Sequence, residues 1–375
     1  MIKEKRIVEE MMELVKIDSE TKNEEKIAAV LKTKFESLGI NVEEDDAKQA
    51  TGHGAGNLIC TWEGNVEKAD IIYFTSHMDT VLPGAGVQPL LEDGYIKSDG
   101  TTILGADDKA GIAAMLECIR SIQEDNKPHG TIQFVITVGE ESGLVGAKAL
   151  DHSLLHADYG YALDSDGEVG NLIVAAPTQA KLQIKVNGKT AHAGLAPEKG
   201  ISAITVAAKA LADMPLGRID SETTANIGRF EGGSQTNVVC DEVHILAEAR
   251  SLDRKKLDNQ VDKMKSSIQK TAENMGSSAE IEVTIMYTGY KLSEDDNVVA
   301  LAGKAAKKMG LEAKLLRSGG GSDANIISGY GIPTVNLAVG YENIHTTKEK
   351  MPVRELVKLT EFMDAIIEET VSSTR

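Results

Sequence analysis

Cysteine, aromatic side chains and positive charge are all scarce in this chain of 375 residues, and each shortage removes a class of function. The three cysteines, Cys60, Cys118 and Cys240, are odd in number, widely spaced and form no CxxC pair. They exclude a disulfide framework and read as reduced, buried thiols, which predicts a cytoplasmic protein. Aromatic residues make up 4% of the chain, too few for the stacking platforms that hold single-stranded nucleic acid. Lys and Arg number 40 against 58 Asp and Glu, a net charge of −18, and phosphate binding needs clustered cations instead. No apolar run is long enough to span a membrane, and Met1-Ile2-Lys3-Glu4-Lys5-Arg6 offers no signal core. Nucleic acid and membrane are therefore not expected partners.

What is present is ordinary for a globular protein, 41% hydrophobic and 26% charged, and the length exceeds one usual core, so two domains are expected. Apolar spacing predicts helices over 5–18 and 24–38, the second ended by Gly39, and strands near 57–62 and 71–76. A buried helix follows from Ala110 to about Ile122, then strands at 132–138 and 159–163. This alternation predicts an α/β domain with a mostly parallel sheet and helices on both faces. The texture changes near Pro177 to strand, helix, strand, strand, helix, strand (180–186, 201–213, 223–230, 238–249, 253–274, 279–287). That order is the α+β, ferredoxin-like pattern. After Asp295-Asp296 the α/β texture resumes with a helix over 297–309, a glycine-rich turn at 319–321, a strand at 332–339 and a closing helix from Pro352. The expected division is one α/β domain over 1–178 and 290–375, with a second domain inserted at 179–289.

The chemistry sits after strands. The strand ending at Ser76 runs into His77-Met78-Asp79, that ending at Val138 into Gly139-Glu140-Glu141, that ending at Leu163 into Asp164-Ser165-Asp166, and that ending at Val339 leads on to His345. Ligands of open α/β sheets bind beyond the carboxyl ends of strands, so these groups are expected to converge. Gly105-Ala106-Asp107-Asp108-Lys109 precedes a helix, where N–H groups favour anionic side chains. His77 and His345 offer imidazole nitrogens and Asp107, Glu141 and Asp164 offer carboxylates, a donor set for two zinc-class ions if Asp107 bridges. Asp79 lies two residues from His77, near enough to hydrogen-bond its other nitrogen. Glu140 and Glu141 diverge, so one is free to bind metal while the other acts as general base on a metal-polarised water. Taken singly, each group is a surface pair, a solvated turn or a helix cap; their joint occurrence at successive strand ends is what points to a metal site.

His77-Met78-Asp79-Thr80-Val81, Gly105-Ala106-Asp107-Asp108-Lys109-Ala110-Gly111, Gly139-Glu140-Glu141-Ser142-Gly143 and Gly188-Lys189-Thr190-Ala191-His192-Ala193-Gly194 together resemble the co-catalytic zinc exopeptidase family. That family holds peptidase T, glutamate carboxypeptidases, aminoacylases and succinyl-diaminopimelate desuccinylase. The similarity runs through the whole chain in the family's order, and the Gly-Ala-Asp-Asp-Lys-Ala-Gly wording is most similar to peptidase T. Val81-Leu82-Pro83-Gly84-Ala85-Gly86-Val87 departs from that enzyme's pattern, which leaves the tripeptide preference to be tested. The resemblance implies His77, Asp107 and Asp164 on one ion, Asp107, Glu141 and His345 on the other, and Glu140 as base, with Asp79 orienting His77. It implies a cis peptide after Asp107, and a lid domain at 179–289 through which dimeric members pair. His192 would touch the scissile carbonyl from a partner subunit, Asn237 would lie near the substrate, and Arg250 would grip a substrate carboxylate. Gly319-Gly320-Gly321-Ser322-Asp323 lacks the Lys of a phosphate loop.

The function these readings predict is a di-metal exopeptidase acting on short peptides, a peptidase T-like aminopeptidase holding zinc, with cobalt or manganese as substitutes. The alternative keeps the centre and changes the substrate to an N-acyl amino acid or a peptide C-terminus. A metal-binding protein without catalysis is the third reading, and it leaves Glu140 without a duty.

Overall fold

The computed structural model describes residues 1–373, which form two compact units. The first comprises Met1–Val174, Leu292–Arg317 and Ser322–Arg375, and the second Ala175–Lys291 with Ser318–Gly321. The glycine-rich turn, expected with the α/β part, belongs to the second unit.

At the centre of the first unit four strands run parallel, in the spatial order Ile132–Thr137, Ile72–His77, Tyr159–Ser165, Thr334–Ala338. Antiparallel strands extend both sides: Leu58–Trp62 and then Asn41–Glu44 beyond the first, Leu172–Ala176 beyond the last. Every residue of Ile72–His77 is buried, as befits a central strand covered on both faces. Ile72 and Phe74 face the main core, where Phe74 lies between Phe134 and Tyr161 at ring separations of 6.2 and 5.6 Å. Tyr73 faces a smaller core on the other side with Ile59, Val135 and Ile327. Its ring fits there because residue 160 is glycine: a Cβ on Gly160 would stand 2.0 Å from it.

The helix Ala106–Asp125 is buried over nearly its whole length and packs with Glu4–Val15 and Val353–Ser372. Small residues let it approach the sheet, for a Cβ on Gly111 would be 2.6 Å from Ser76 Oγ. Asp107 and Asp108 lie inside its bounds with non-helical backbone angles, so the regular helix begins after them. The first helix ends at Val15, one turn before its expected end. Asn41–Glu44 and Leu172–Ala176 are strands that apolar spacing did not announce. Among the described residues no helix is long and apolar enough to cross a membrane.

In the second unit Thr178–Asn187, Ala203–Ala212, Thr223–Gly232, Glu242–Ser251, Arg254–Asn274 and Ser278–Tyr287 follow the strand–helix–strand–strand–helix–strand order. The sheet is antiparallel, with Thr178–Asn187 between Glu242–Ser251 and Ser278–Tyr287. Both helices contribute to a single core with Leu182, Ile184, Ile245 and Met264.

Candidate metal centre

Parallel strands that end on the same edge deliver their last side chains to one place. His77 closes its strand, Asp164 is next to last in Tyr159–Ser165, and Glu140-Glu141 turn away just after Ile132–Thr137. His345 comes from a loop whose base is closed by reciprocal backbone hydrogen bonds between Glu342 and Lys350. Asp107 enters from the start of its helix, and its peptide bond to Asp108 is cis.

These groups meet in two sets that share Asp107. His77 Nε2 is 3.1 Å from Asp107 Oδ1 and 3.9 Å from Asp164 Oδ1. His345 Nε2 is 3.2 Å from Asp107 Oδ2 and 2.8 Å from Glu141 Oε1. The potential ligand atoms within His77–Asp107–Asp164, and within Asp107–Glu141–His345, all lie within 4.8 Å of one another. Each oxygen of Asp107 thus faces a different histidine, the disposition a bridging carboxylate requires. Imidazole nitrogens with carboxylate oxygens and no thiolate suit zinc-class ions.

The electrostatics point the same way. Burial, then the charge of Asp107, pushes the Asp164 carboxyl well above the usual range, and burial, then Asp164, does the same to Glu140. Burial works against charging His77, but hydrogen bonds to Asp107 and Asp79 outweigh it and raise its pKa well above the ordinary value. Hydrogen bonds to Asp107 and Glu141 lift His345 to about 10. Carboxyls pushed up and histidines pushed up together are what closely packed negative charge imposes.

Asp79 is buried, but its carboxylate is 3.5 Å from His77 Nδ1, while its own backbone carbonyl accepts from that nitrogen at 2.9 Å. The carboxylate instead accepts from the Glu140 N–H at 2.9 Å and the Thr21 hydroxyl at 2.7 Å. Asp79 thus spans both elements, orienting His77 through its backbone and the Glu140 turn through its side chain.

The second unit brings some of its expected residues together and separates others. His192 bridges to Val238 in antiparallel fashion, and the Ala193 N–H donates to the Asn237 carbonyl, so His192 and Asn237 are neighbours. His192 Nδ1 accepts from the N–H groups of Gly194 and Leu195 at 3.2 Å, which leaves the proton of the neutral ring on Nε2. Arg250 lies at the opposite end of its strand, its Nε and Nη2 on Glu248 at 2.9 and 3.1 Å and Nη1 on the Gly319 carbonyl at 3.2 Å.

Spacing did not reveal the residues that brace the centre. Asn336 accepts the Asp164 N–H at 3.0 Å and donates to the Asp164 carbonyl at 2.7 Å; its signal is a polar side chain within the apolar run Thr334–Ala338. The Tyr341 hydroxyl donates to Asp164 Oδ1 at 3.4 Å, and Thr21 lies some sixty residues from its partner Asp79 with no local pattern to mark it. Glu349 binds the backbone ahead of Asp107, as developed below.

Paired histidine–carboxylate sets at the strand ends of an α/β domain form a candidate site for divalent metal ions. The chain belongs to the peptidase family M20/M25/M40, whose profile matches residues 73–369. It is 66% identical over 369 residues to the protein YqjE of Bacillus subtilis (strain 168), covering 98% of this chain and 99% of that one. The crystal structure of aminopeptidase PepT from Bacillus cereus superposes with a TM-score of 0.95 at 64% identity, covering 98% of this chain and 99% of that one. A tripeptidase from Staphylococcus aureus superposes with a TM-score of 0.97 at 51% identity, covering 99% and 100%.

Proposed function

We propose that this chain is a peptidase T-like aminopeptidase that removes the N-terminal residue of tripeptides with two divalent ions, zinc in the native enzyme. The observation that carries the reading is Asp107, whose two oxygens face His77 and His345 separately. Similarity to the Bacillus cereus aminopeptidase and the Staphylococcus aureus tripeptidase supports the substrate. His77, Asp107 and Asp164 would hold one ion, and Asp107, Glu141 and His345 the other. Ions held there would supply Lewis acidity to the scissile carbonyl and would lower the pKa of the attacking water. Glu140 takes that water's proton and passes it to the leaving amine. Asp79 holds the Glu140 backbone so that the carboxylate keeps its place.

The substrate is gripped by Arg250, a fork suited to a C-terminal carboxylate, and by His192 and Asn237, with His192 Nε2–H directed at the carbonyl. His192 and Asn237 stand at the Glu242 end of the strand and Arg250 at the Ser251 end. Eight residue steps of about 3.3 Å lie between Glu242 and Arg250 along that strand, so its two ends are about 26 Å apart. With the two groups at opposite ends of the sheet, we place the enzyme as a homodimer through the second unit, His192 of one chain serving the substrate of the other.

The test is a panel of free tripeptides, C-terminally amidated tripeptides and N-acetyl amino acids, read by mass spectrometry before and after chelation. Loss of one N-terminal residue from free tripeptides, abolished by chelator and restored by zinc, cobalt or manganese, is expected, with amidated peptides cleaved poorly. Full turnover by metal-free protein would end the two-ion reading, and hydrolysis of N-acetyl amino acids alone would replace the substrate. Equal cleavage of free and amidated peptides would remove Arg250 as a carboxylate clamp.

A further inference from the structure

Glu349 is 1% exposed, and its carboxylate points at backbone. Oε2 accepts the N–H groups of Leu104 and Gly105, both at 2.8 Å, and Oε1 accepts that of Asp107 at 3.0 Å. These donors lie in the non-helical segment that leads into the regular helix, and the neighbouring Gly105 has no side chain to satisfy them. Asp107 stands in the first turn, where an acid often caps a helix, but its oxygens are turned to the two histidines. Glu349 accepts these bonds from more than 240 residues away and leaves Asp107 free.

Glu349 also lies four residues after His345, on the loop closed by Glu342 and Lys350. That loop therefore carries both His345, the proposed ligand of the second ion, and the acceptor of the Asp107 N–H. We infer that Glu349 is a positioning residue of the metal centre, setting Asp107 in register with His345 so that one carboxylate reaches both ions. The inference rests on the two-ion reading above. Charge-assisted bonds to three N–H groups hold a loop more tightly than a neutral acceptor does. Groups that orient metal ligands from behind commonly change metal affinity by about 10- to 100-fold when replaced.

The experiment is calorimetric titration of chelator-stripped protein with zinc and with manganese, for wild type, Glu349→Gln and Glu117→Gln. Glu117 is the control: it is fully buried on the same helix and accepts the Lys3 N–H at 2.8 Å, ten residues beyond Asp107. Glu349→Gln keeps the shape but turns an NH₂ group toward backbone donors. Both variants are expected to melt lower when stripped. Only Glu349→Gln should bind metal about 10- to 100-fold more weakly, and its melting temperature should rise less on metal addition. An isotherm for Glu349→Gln that superposes on wild type, or an equal weakening in Glu117→Gln, overturns the inference. Should Glu349→Gln not fold, Glu349→Asp decides by the same comparison, since it keeps the charge and withdraws it by one methylene. A wild type that binds neither ion would take down the two-ion reading and this inference together.

Discussion

Glu140 and Glu141 are adjacent and chemically identical, so their different tasks come from position alone. Glu141 Oε1 is 2.8 Å from His345 Nε2 and belongs to the set that shares Asp107. Glu140 is anchored through its backbone to Asp79, and burial with the charge of Asp164 raises its carboxyl well above the usual range. Glu140→Ala should therefore retain both ions and lose about 10²- to 10⁴-fold in turnover, the usual worth of a general base. Glu141→Ala should bind less metal per chain by elemental analysis, with activity partly recovered at high metal concentration. Metal loss in Glu140→Ala and retention in Glu141→Ala would reverse the two roles.

Elements were legible where one periodicity covered a whole segment, and blurred where tertiary contacts decided. The strand Ile132–Thr137 and the helix Asn297–Lys308 stand within a residue or so of where apolar spacing places them. Asn41–Glu44 has three exposed residues of four and no apolar face to announce it, because an antiparallel neighbour holds it by backbone pairing. The start of the helix Ala106–Asp125 was illegible for another reason: the backbone leading into it is held by Glu349, and no local pattern encodes so distant a partner. At the site, the histidines and acids that the structure brings together and their strand-end positions were readable, while braces such as Asn336 and Thr21 depend on register between distant strands. The same dependence gives a prediction at Gly160, which lies on the strand that carries Asp164. Gly→Ala gains about 0.4–1 kcal/mol from the unfolded chain, but here a Cβ would meet the fully buried Tyr73 ring at 2.0 Å. Overpacking of that kind costs about 1–3 kcal/mol, so the clash should win. Gly160→Ala is expected to lower the melting temperature measured by calorimetry, and an unchanged or higher value would mean that the ring moves aside freely.

On the scale of the whole molecule, the concentration of acid at one sheet edge ties stability to pH and to metal. Glu140, Asp164, His77 and His345 all hold protons in the folded, metal-free chain beyond their ordinary pKa values. As pH rises from 6 to 8 the unfolded chain, its carboxyls already ionised, gives up its histidine protons ahead of the folded one, so the stability that the raised groups confer is lost as pH rises. Asp107 and Asp79 are held below the usual carboxylate range and contribute no slope there, and Lys109, lowered to about 8 by burial, opposes the trend from the upper part of the window onward. Stripped protein should therefore lose melting temperature from pH 6 to 8 more steeply than metal-loaded protein, in which ions replace the protons; parallel slopes would contradict this origin. The proposed homodimer makes its own prediction. If His192 serves the metal centre of the other chain, His192→Ala and Glu140→Ala homodimers both lack a complete site. In a hybrid, the chain with Glu140 intact receives His192 from its partner, so one of two sites is whole. Random reassortment makes about half the dimers hybrid, and a two-fold arrangement then predicts recovery of about a quarter of wild-type activity. Mixing the variants after mild dissociation, with exchange followed by native mass spectrometry, measures it. Exchange without recovery would place His192 on its own chain's site or outside catalysis, and recovery by Arg250→Ala with Glu140→Ala instead would make Arg250 the residue that crosses.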